Sequence, residues 1–334
     1  MDMIVVRHRG HNGYWFMSNK LVLQLGDGGA GVRDAVSRAT GAFNYPELLG
    51  VKITINGHQV RVETPLEIKP QTGAAFFNRQ RDPDRLSSRE WSRIHLRQGG
   101  LNVGQFHIKG MRPIEFRIFL YDSTDRLVFT DVDGTITAGD FRGHGANFAS
   151  NFGDVPVNNH KGVRQFFHAI WQKGYKIIYL TARPITMINY SKRYVFEESS
   201  LPTGPFLCSE AQFVSSCFTE LAGKIPRIRG LMRRSSLAAM KMTIILSVVK
   251  NFNSHFNDNC PEATTSKVVA GAYGNTATDR EAYSAAGISG DRIWIISKPT
   301  MISGRSVLSP ANPAMKTFEH GYQEKLRELH TYYP

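Results

Sequence analysis

Cysteine is scarce in this 334-residue chain: Cys208, Cys217 and Cys260 are odd in number and scattered, without the paired spacing of a disulfide framework or a zinc site. That excludes a disulfide-stapled scaffold and fits a reducing, cytosolic setting. Long apolar runs are lacking too. The longest, Met242 to Val249, falls far short of the roughly 20 residues that cross a bilayer. No secretory signal opens the sequence, so the expectation is a soluble or peripheral protein. Acidic charge is also short, with 28 Asp and Glu against 41 Lys and Arg, a formal net charge of +13. Such a surface attracts polyanions before any specific contact forms. The longest stretch without an acid holds Lys224, Arg227, Arg229, Arg233, Arg234, Lys241 and Lys250. It is the electrostatic candidate for a membrane surface, against the plainer reading of a solvated basic loop and helix face.

What is present is enough for two domains, with 41% apolar residues to bury. The first 80 residues read as β-structure. Val51, Ile53 and Ile55 alternate with polar residues, Asn56-Gly57 supplies the positive φ angles of a tight turn, and Val60 and Val62 resume the alternation. Met3 to Val6, Tyr14 to Met17, Leu21 to Leu25 and Ala74 to Phe77 are further strands. From Gln80 to Gly100 the composition turns charged and polar, which predicts a linker or exposed excursion. Strand patterns return at Val103 to Ile108 and Ile114 to Leu120. Short strands punctuated by turns suggest a sandwich built from both sides of the excursion.

After Arg126 strands and helices alternate, the mark of a parallel α/β sheet. Leu127 to Thr130, Lys176 to Leu180, Pro205 to Leu207, Val268 to Tyr273 and Arg292 to Ile296 have strand length. Val163, Phe166, Phe167, Ile170 and Trp171 share one helical face, stopped by Gly174, and Asp279 to Ala286 forms another helix. The tail from Pro313 carries Met315, Phe318, Tyr322, Leu326, Leu329 and Tyr333 along one stripe, a packing face.

Ligands of such sheets gather at the carboxyl ends of the strands, and the polar candidates stand there. LVFT runs into Asp131-Val132-Asp133-Gly134-Thr135, two carboxylates on a turn that Gly134 lets bend sharply. Buried carboxylates without a partner are costly, so a metal or a phosphate network is expected beside them. KIIYL ends in Thr181-Ala182-Arg183-Pro184, a hydroxyl, backbone N–H groups and a guanidinium suited to phosphoryl oxygens. Lys241 can neutralise charge on a transferring group or stand on the surface. KVVAGAY ends in Gly274-Asn275-Thr276-Ala277-Thr278-Asp279, where Asn275 and Asp279 supply further oxygen ligands. Hard ligands without a His/Cys cluster favour Mg2+ over zinc.

This order of motifs resembles the haloacid dehalogenase superfamily, whose phosphatases carry DxD, then Ser/Thr, then Lys/Arg, then an acidic or amide motif. Whole phrases narrow the likeness. DVDGTITAGDFRGH, YLTARPITM, LPTGPFLCSE, AYGNTATDREAYSAAGI and DRIWIISK look like the carboxy-terminal catalytic region of the lipin family of phosphatidate phosphatases. DMIVVRHRGHNG, GVKITINGHQVRVE and GAAFFN are similar to the lipin amino-terminal region. The chain resembles a compact lipin, with residues 80–100 in place of the long middle segment of larger members.

The resemblance implies an immunoglobulin-like β-sandwich over residues 1–126, a Rossmann-like haloacid dehalogenase catalytic domain over 127–310 and a C-terminal helix over 311–334 packed on that core. It implies Asp131 as nucleophile on the phosphorus of phosphatidate, Asp133 as acid and base, and Thr181 and Lys241 on the phosphoryl oxygens. Gly134, Thr135, Ala182, Arg183 and His144 would contact substrate, with Asp140 near the entrance. Mg2+ would sit among Asp131, the Asp133 carbonyl and Asn275, with Asp279 behind. The implied partner is phosphatidate at an anionic membrane surface. The implied address is the cytoplasm with reversible attachment to endoplasmic reticulum or nuclear envelope, and no nucleic acid is expected.

Two features depart from the family pattern. The chain starts almost directly on strand Met3 to Val6 where members usually begin with an amphipathic helix, and Gly-Asn-Thr-Ala-Thr-Asp stands where they read Gly-Asn-Arg-Pro-Asn-Asp. The rival readings are a related module that senses phosphatidate without cleaving it, a phosphatase of soluble esters or phosphoproteins, and, on charge alone, a nucleic-acid binder.

Overall fold

The computed structural model describes residues 2–11, 13–19, 23–24, 52–60, 66–69, 74–77, 87–107, 112–138, 159–184, 188–209, 236–253, 262–296, 308–310 and 321–334. They fall into two compact units, the first formed by Met1–Ser123 with Ile185–Met187, the second by Thr124–Pro184 with Ile188–Pro334.

In the first unit the Asn-Gly turn does what its chemistry dictates. Asn56 and Gly57 take φ values of 53° and 81°, and the strands on either side, β4 (Lys52–Ile55) and β5 (His58–Val60), pair antiparallel. They lie at one end of a six-stranded sheet with β1 (Met3–Gly10), β2 (Gly13–Ser18), β8 (Asn102–His107) and β9 (Ile114–Asp122), in the order β2-β1-β9-β8-β4-β5. All neighbours run antiparallel except β1 and β9, which pair in parallel from Met3 opposite Ile118 to Arg7 opposite Asp122. Met3, Val5, Ile53, Ile55, Phe106, Phe116 and Ile118 form one buried cluster, the product of period-two alternation on neighbouring strands. Gly104 is required there, because a Cβ on it would stand 2.2 Å from the Phe116 ring. A second, three-stranded sheet is made by β3 (Leu23–Gln24), β7 (Ala74–Phe77) and β6 (Leu66–Lys69).

The polar excursion is not a plain linker. It contains a short helix, α1 (Ser88–Ser92), started by a reciprocal capping box in which Ser87 Oγ accepts from the Glu90 N–H and the Glu90 carboxylate accepts from the Ser87 N–H. Trp91 is fully buried in the sheet cluster and donates its indole N–H to Ser18 Oγ at 3.2 Å. Ser88 Oγ accepts the Phe16 N–H at 2.9 Å, so the helix covers part of edge strand β2.

The second unit is built on a sheet in the order β12 (Phe206–Ser209), β11 (Lys176–Pro184), β10 (Leu127–Asp131), β13 (Val269–Gly274), β14 (Ile293–Ile296) and β15 (Leu308–Pro310). The first five strands are parallel and β15 closes the edge antiparallel. The molecule is therefore mixed α/β plus β. β10 is buried along its whole length, as expected of an apolar strand flanked by parallel neighbours. β11 runs past the predicted end at Leu180 through Thr181, Ala182 and Arg183, with an irregularity in its pairing to β12.

Around the sheet lie α2 (Val163–Gln172), α3 (Ile188–Arg193) continued by a π turn at Tyr194–Glu198, α4 (Ser236–Phe252), α5 (Glu262–Val268) and α6 (Ala277–Ala285). On α2, Val163, Phe166, Phe167 and Ile170 are buried as predicted, but Trp171 lies at the margin of the stripe and is 49% exposed. The tail stripe is carried by two short helices, α7 (Tyr322–Lys325) and α8 (Leu329–Tyr332), joined by a 3-10 turn. Tyr322, Leu329 and Tyr333 are buried in it and Leu326 is half-buried. Met315 and Phe318 lie outside the described residues.

Candidate active site

The central strand delivers the first carboxylate. β10 lies between β11 and β13, with Asp131 opposite Leu180 and Thr130 opposite Tyr273, so its carboxyl end opens between two neighbouring strand ends. Asp131 is 4% exposed. Beyond it the chain turns on Gly134, at φ 80°, and closes back with the Ile136 N–H on the Val132 carbonyl at 3.0 Å. The Gly134 N–H donates to Thr137 Oγ1 at 2.8 Å.

Two ion clusters flank this turn. In one, Lys241 reaches in from the second turn of α4 and is 2% exposed. Its Nζ donates to Asp131 Oδ1 at 2.7 Å and to Asp279 Oδ1 at 2.5 Å. Asp279 also caps α6, accepting on Oδ2 from the backbone N–H groups of Asn275 and Thr276 at 3.1 and 3.0 Å and from Thr276 Oγ1 at 2.7 Å. Gly274 makes that approach possible, since a Cβ there would stand 2.4 Å from Asp279 Cβ. In the other cluster, the Arg183 guanidinium forks onto Asp133, Nε to Oδ2 at 3.0 Å and Nη2 to Oδ1. Thr181 Oγ1 donates to Asp133 Oδ2 at 3.3 Å, and Arg183 Nη1 is anchored on Ser191 Oγ of α3 at 3.0 Å. Val132 separates the clusters: Asp131 is the last residue of β10 and Asp133 stands in the turn beyond it, so the turn, and not the period of the strand, gives the two carboxylates different partners.

The electrostatics follow from burial. Loss of water raises Asp131 to about 7, with Lys241 pulling the other way and Asp279 and Asp133 adding to the rise. Burial alone would lower Lys241, but the carboxylates of Asp131 and Asp279 hold it above its ordinary value. Asp279 is lowered, because Lys241 and its cap donors outweigh burial. Three carboxylates thus face two cations, a net deficit of positive charge around Asp131.

That donor set suits a hard divalent cation. Asp131 Oδ2 has a hydroxyl contact with Thr135 at 3.4 Å, too long to satisfy a buried carboxylate. Among the described residues no three His, Cys, Asp or Glu side chains are grouped as a cage. An ion held by one or two carboxylates, backbone and amide oxygens and water is the pattern of Mg2+.

Of the sequence candidates, Asp131, Asp133, Gly134, Thr135, Thr181, Ala182, Arg183 and Asn275 stand at or just beyond the adjoining ends of β10, β11 and β13, Lys241 on α4 and Asp279 on α6. Lys241 is buried in the ion cluster, not on the basic surface. The Arg183 guanidinium is occupied by Asp133. His144 and Asp140 lie outside the described residues, as do Arg233 and Arg234. Ser191, His160 and Tyr322 also touch the site's residues, and no motif announced them; Tyr322 was visible only as one member of the tail stripe.

The family model described as LNS2 (Lipin/Ned1/Smp2) matches residues 83–334. Among similar curated proteins, a Homo sapiens phosphatidate phosphatase, LPIN3, is 28% identical over 220 residues, covering 64% of this chain and 23% of the relative. The Mus musculus LPIN3 is 32% identical over 152 residues, 43% of this chain and 17% of the relative. The Saccharomyces cerevisiae phosphatidic acid phosphohydrolase 1 is 27% identical over 192 residues, 56% of this chain and 20% of the relative. The matched part is thus less than a quarter of each relative's length. Among solved structures, a cobalt-bound deoxy-D-mannose-octulosonate 8-phosphate phosphatase from Haemophilus influenzae overlays 49% of this chain and 67% of its own, at 15% identity and a TM-score of 0.24, too loose to assign a fold.

Proposed function

This chain belongs to the LNS2 (Lipin/Ned1/Smp2) family, and from that premise we propose that it is a Mg2+-dependent phosphatidate phosphatase working through an aspartyl-phosphate at Asp131. The observation that carries the reading is the buried bridge of Lys241 between Asp131 and Asp279 at the carboxyl end of the central strand. The curated relatives named as phosphatidate phosphatase or phosphatidic acid phosphohydrolase support the substrate class. On this reading the second unit is a haloacid dehalogenase-like domain with the 311–334 tail packed on its core, and residues 1–126 form an immunoglobulin-like sandwich from the two sheets described.

The residues divide the work. Lys241 holds Asp131 Oδ1, leaving Oδ2 as the attacking atom on phosphorus. The bond to the glycerol oxygen breaks as the aspartyl-phosphate forms, and Asp133 delivers the proton that the departing diacylglycerol alkoxide takes up. The incoming phosphoryl group, arriving as its monoanion, takes over the Arg183 fork and the Thr181 hydroxyl and leaves its proton on Asp133, which then carries it for that transfer. Asp133 then accepts a proton from water attacking the aspartyl-phosphate, so that phosphate leaves and Asp131 is restored. Mg2+, held by Asp131, the Asp133 carbonyl and Asn275 with Asp279 behind, would supply positive charge to the transferring oxygens. Gly134, Thr135 and Ala182 line the backbone approach to the phosphoryl group. The proposed setting is the cytoplasmic face of an anionic membrane; no helix among the described residues is long and apolar enough to cross one.

A substrate panel tests the proposal. Purified protein is given phosphatidate, lysophosphatidate and soluble phosphate monoesters, with and without Mg2+, beside Asp131→Asn. The expected result is phosphate release from phosphatidate only with Mg2+ and none from the variant. Phosphatidate binding without release by the wild type would favour a sensing module. Preference for a soluble ester would overturn the lipid assignment while leaving the chemistry, and equal turnover by Asp131→Asn would overturn the nucleophile.

A further inference from the structure

The turn that carries both aspartates is gripped from behind by two residues distant in sequence. His160, 2% exposed, places Nε2 3.0 Å from the Gly134 carbonyl oxygen; an oxygen that only accepts makes that nitrogen the donor. Tyr322, fully buried at the start of α7, donates its hydroxyl to the Thr135 carbonyl at 3.1 Å. Its ring is packed among Phe166, Phe167 and Tyr273, with centroids 5.2 to 6.3 Å away, and meets His160 edge-on at 6.2 Å. The tail is drawn close at this point. Gly162, at φ 82°, has Gln323 backbone atoms 2.7 Å from where a Cβ would stand.

A trans peptide is planar, so fixing a carbonyl fixes the N–H of the next residue on the opposite side. Pulling the Gly134 oxygen toward His160 turns the Thr135 N–H away from it. Pulling the Thr135 oxygen toward Tyr322 turns the Ile136 N–H to the Val132 carbonyl, the bond that closes the turn at 3.0 Å. Neither side chain touches Asp131 or Asp133 in a described bond. Both act on the backbone whose bend sets where those carboxylates point.

We infer that His160 and Tyr322 are positioning residues for the nucleophile turn, and that the C-terminal segment thereby belongs to the catalytic apparatus through Tyr322. The inference rests on the proposed phosphatase reading for its catalytic consequence only. Displacing reacting atoms by a fraction of an ångström slows the chemical step without weakening ground-state binding, so the signature is a fall in kcat at constant KM.

The test uses the full chain with Tyr322→Phe, which keeps the ring and removes one hydroxyl, and His160→Leu beside His160→Gln, which keeps a donor. Each is measured for kcat and KM on phosphatidate with Mg2+, for melting temperature, and for exchange of the Ile136 amide proton by NMR. Tyr322→Phe and His160→Leu are expected to lower kcat by about 5- to 50-fold, the scale of one lost buried hydrogen bond. KM should stay within about 2-fold, Ile136 should exchange about 10-fold faster by the same arithmetic, and His160→Gln should recover part of the loss. Wild-type kcat in both variants, or a loss confined to KM, overturns the inference. Should the wild type cleave no phosphate ester, the phosphatase reading falls and the exchange arm decides alone: faster Ile136 exchange in both variants supports the grip, and unchanged exchange overturns it.

Discussion

Asp131 is the residue on which the electrostatics of the site converge. Its folded value near 7, against an ordinary 3.8, means that the folded chain keeps a proton that the unfolded chain releases. Between about pH 4 and pH 7 the folded state binds more protons, so raising the pH across that window lowers stability. At about 1.4 kcal/mol per unit, the full span is at most about 4 kcal/mol. In chelator-treated protein, urea unfolding should therefore show stability falling from pH 4.5 to pH 7.5, and Asp131→Asn should flatten the trend. Asp279 is lowered instead, so its contribution is lost only as the pH falls below the usual carboxylate range and does not mask the effect. Burial lowers His160, whose contribution grows as the pH rises toward its ordinary value and opposes that of Asp131 over the same window, so the decisive quantity is the difference between wild type and Asp131→Asn. A difference that does not change with pH would mean that Lys241 fully compensates the burial of Asp131. At this scale the aspartate pair was legible because DxDGT follows an apolar strand, and Thr181 and Asn275 because they follow others. The fork of Arg183 onto Asp133 was not: sequence offers the guanidinium, while its partner depends on how β11 extends beyond Leu180. Lys241 was legible as a cation but not as a buried one, because its neighbours Met240 and Met242 read equally as a helix face or a loop.

At the scale of elements, local chemistry and tertiary contact divide the outcome in the same way. The β4–β5 hairpin was readable because Asn56-Gly57 and the alternation around it leave one register that buries Ile53 and Ile55. The parallel strands of the second unit were readable as apolar runs bounded by Gly and polar turns. Helix α1 was not, since five residues, Ser88–Ser92, are too few to display a helical period. Its reason for existing is a single side chain. Trp91 fills the cluster of Met3, Val5 and Phe116 and bonds Ser18, so residues 87–97 belong to the core of the first unit. Trp91→Ala should cost about 3 to 5 kcal/mol in urea unfolding of that unit, and Trp91→Phe clearly less, since it loses the indole N–H but keeps most of the volume. A cost below about 1 kcal/mol for the alanine variant, the level of a surface change, would return the segment to a linker.

For the whole molecule the relevant quantity is the formal net charge of +13. The site does not account for it: Asp131, Asp133 and Asp279 outnumber Lys241 and Arg183, so the surplus lies on other surfaces. With Lys241 taken into the site, the basic stretch that reads as a membrane candidate retains Lys224, Arg227, Arg229, Arg233 and Arg234, outside the described residues, and the exposed Lys250 in the last turn of α4. Attraction between such surface charges and an anionic bilayer decays over a Debye length of about 10 Å at 0.1 M salt, whereas a buried ion cluster is screened far less. Adsorption and chemistry should therefore separate with ionic strength. Between about 50 and 500 mM NaCl, sedimentation with phosphatidate-containing vesicles should fall severalfold, because each basic residue near the surface contributes roughly 1 kcal/mol at low salt. Turnover of a short-chain phosphatidate dispersed in detergent should change little over the same range. Substituting Arg233 and Arg234 with Gln should weaken vesicle binding at low salt and bring it nearer the high-salt value. Vesicle binding indifferent to salt would place membrane attachment on apolar contacts, and the charge surplus would then have another anionic partner.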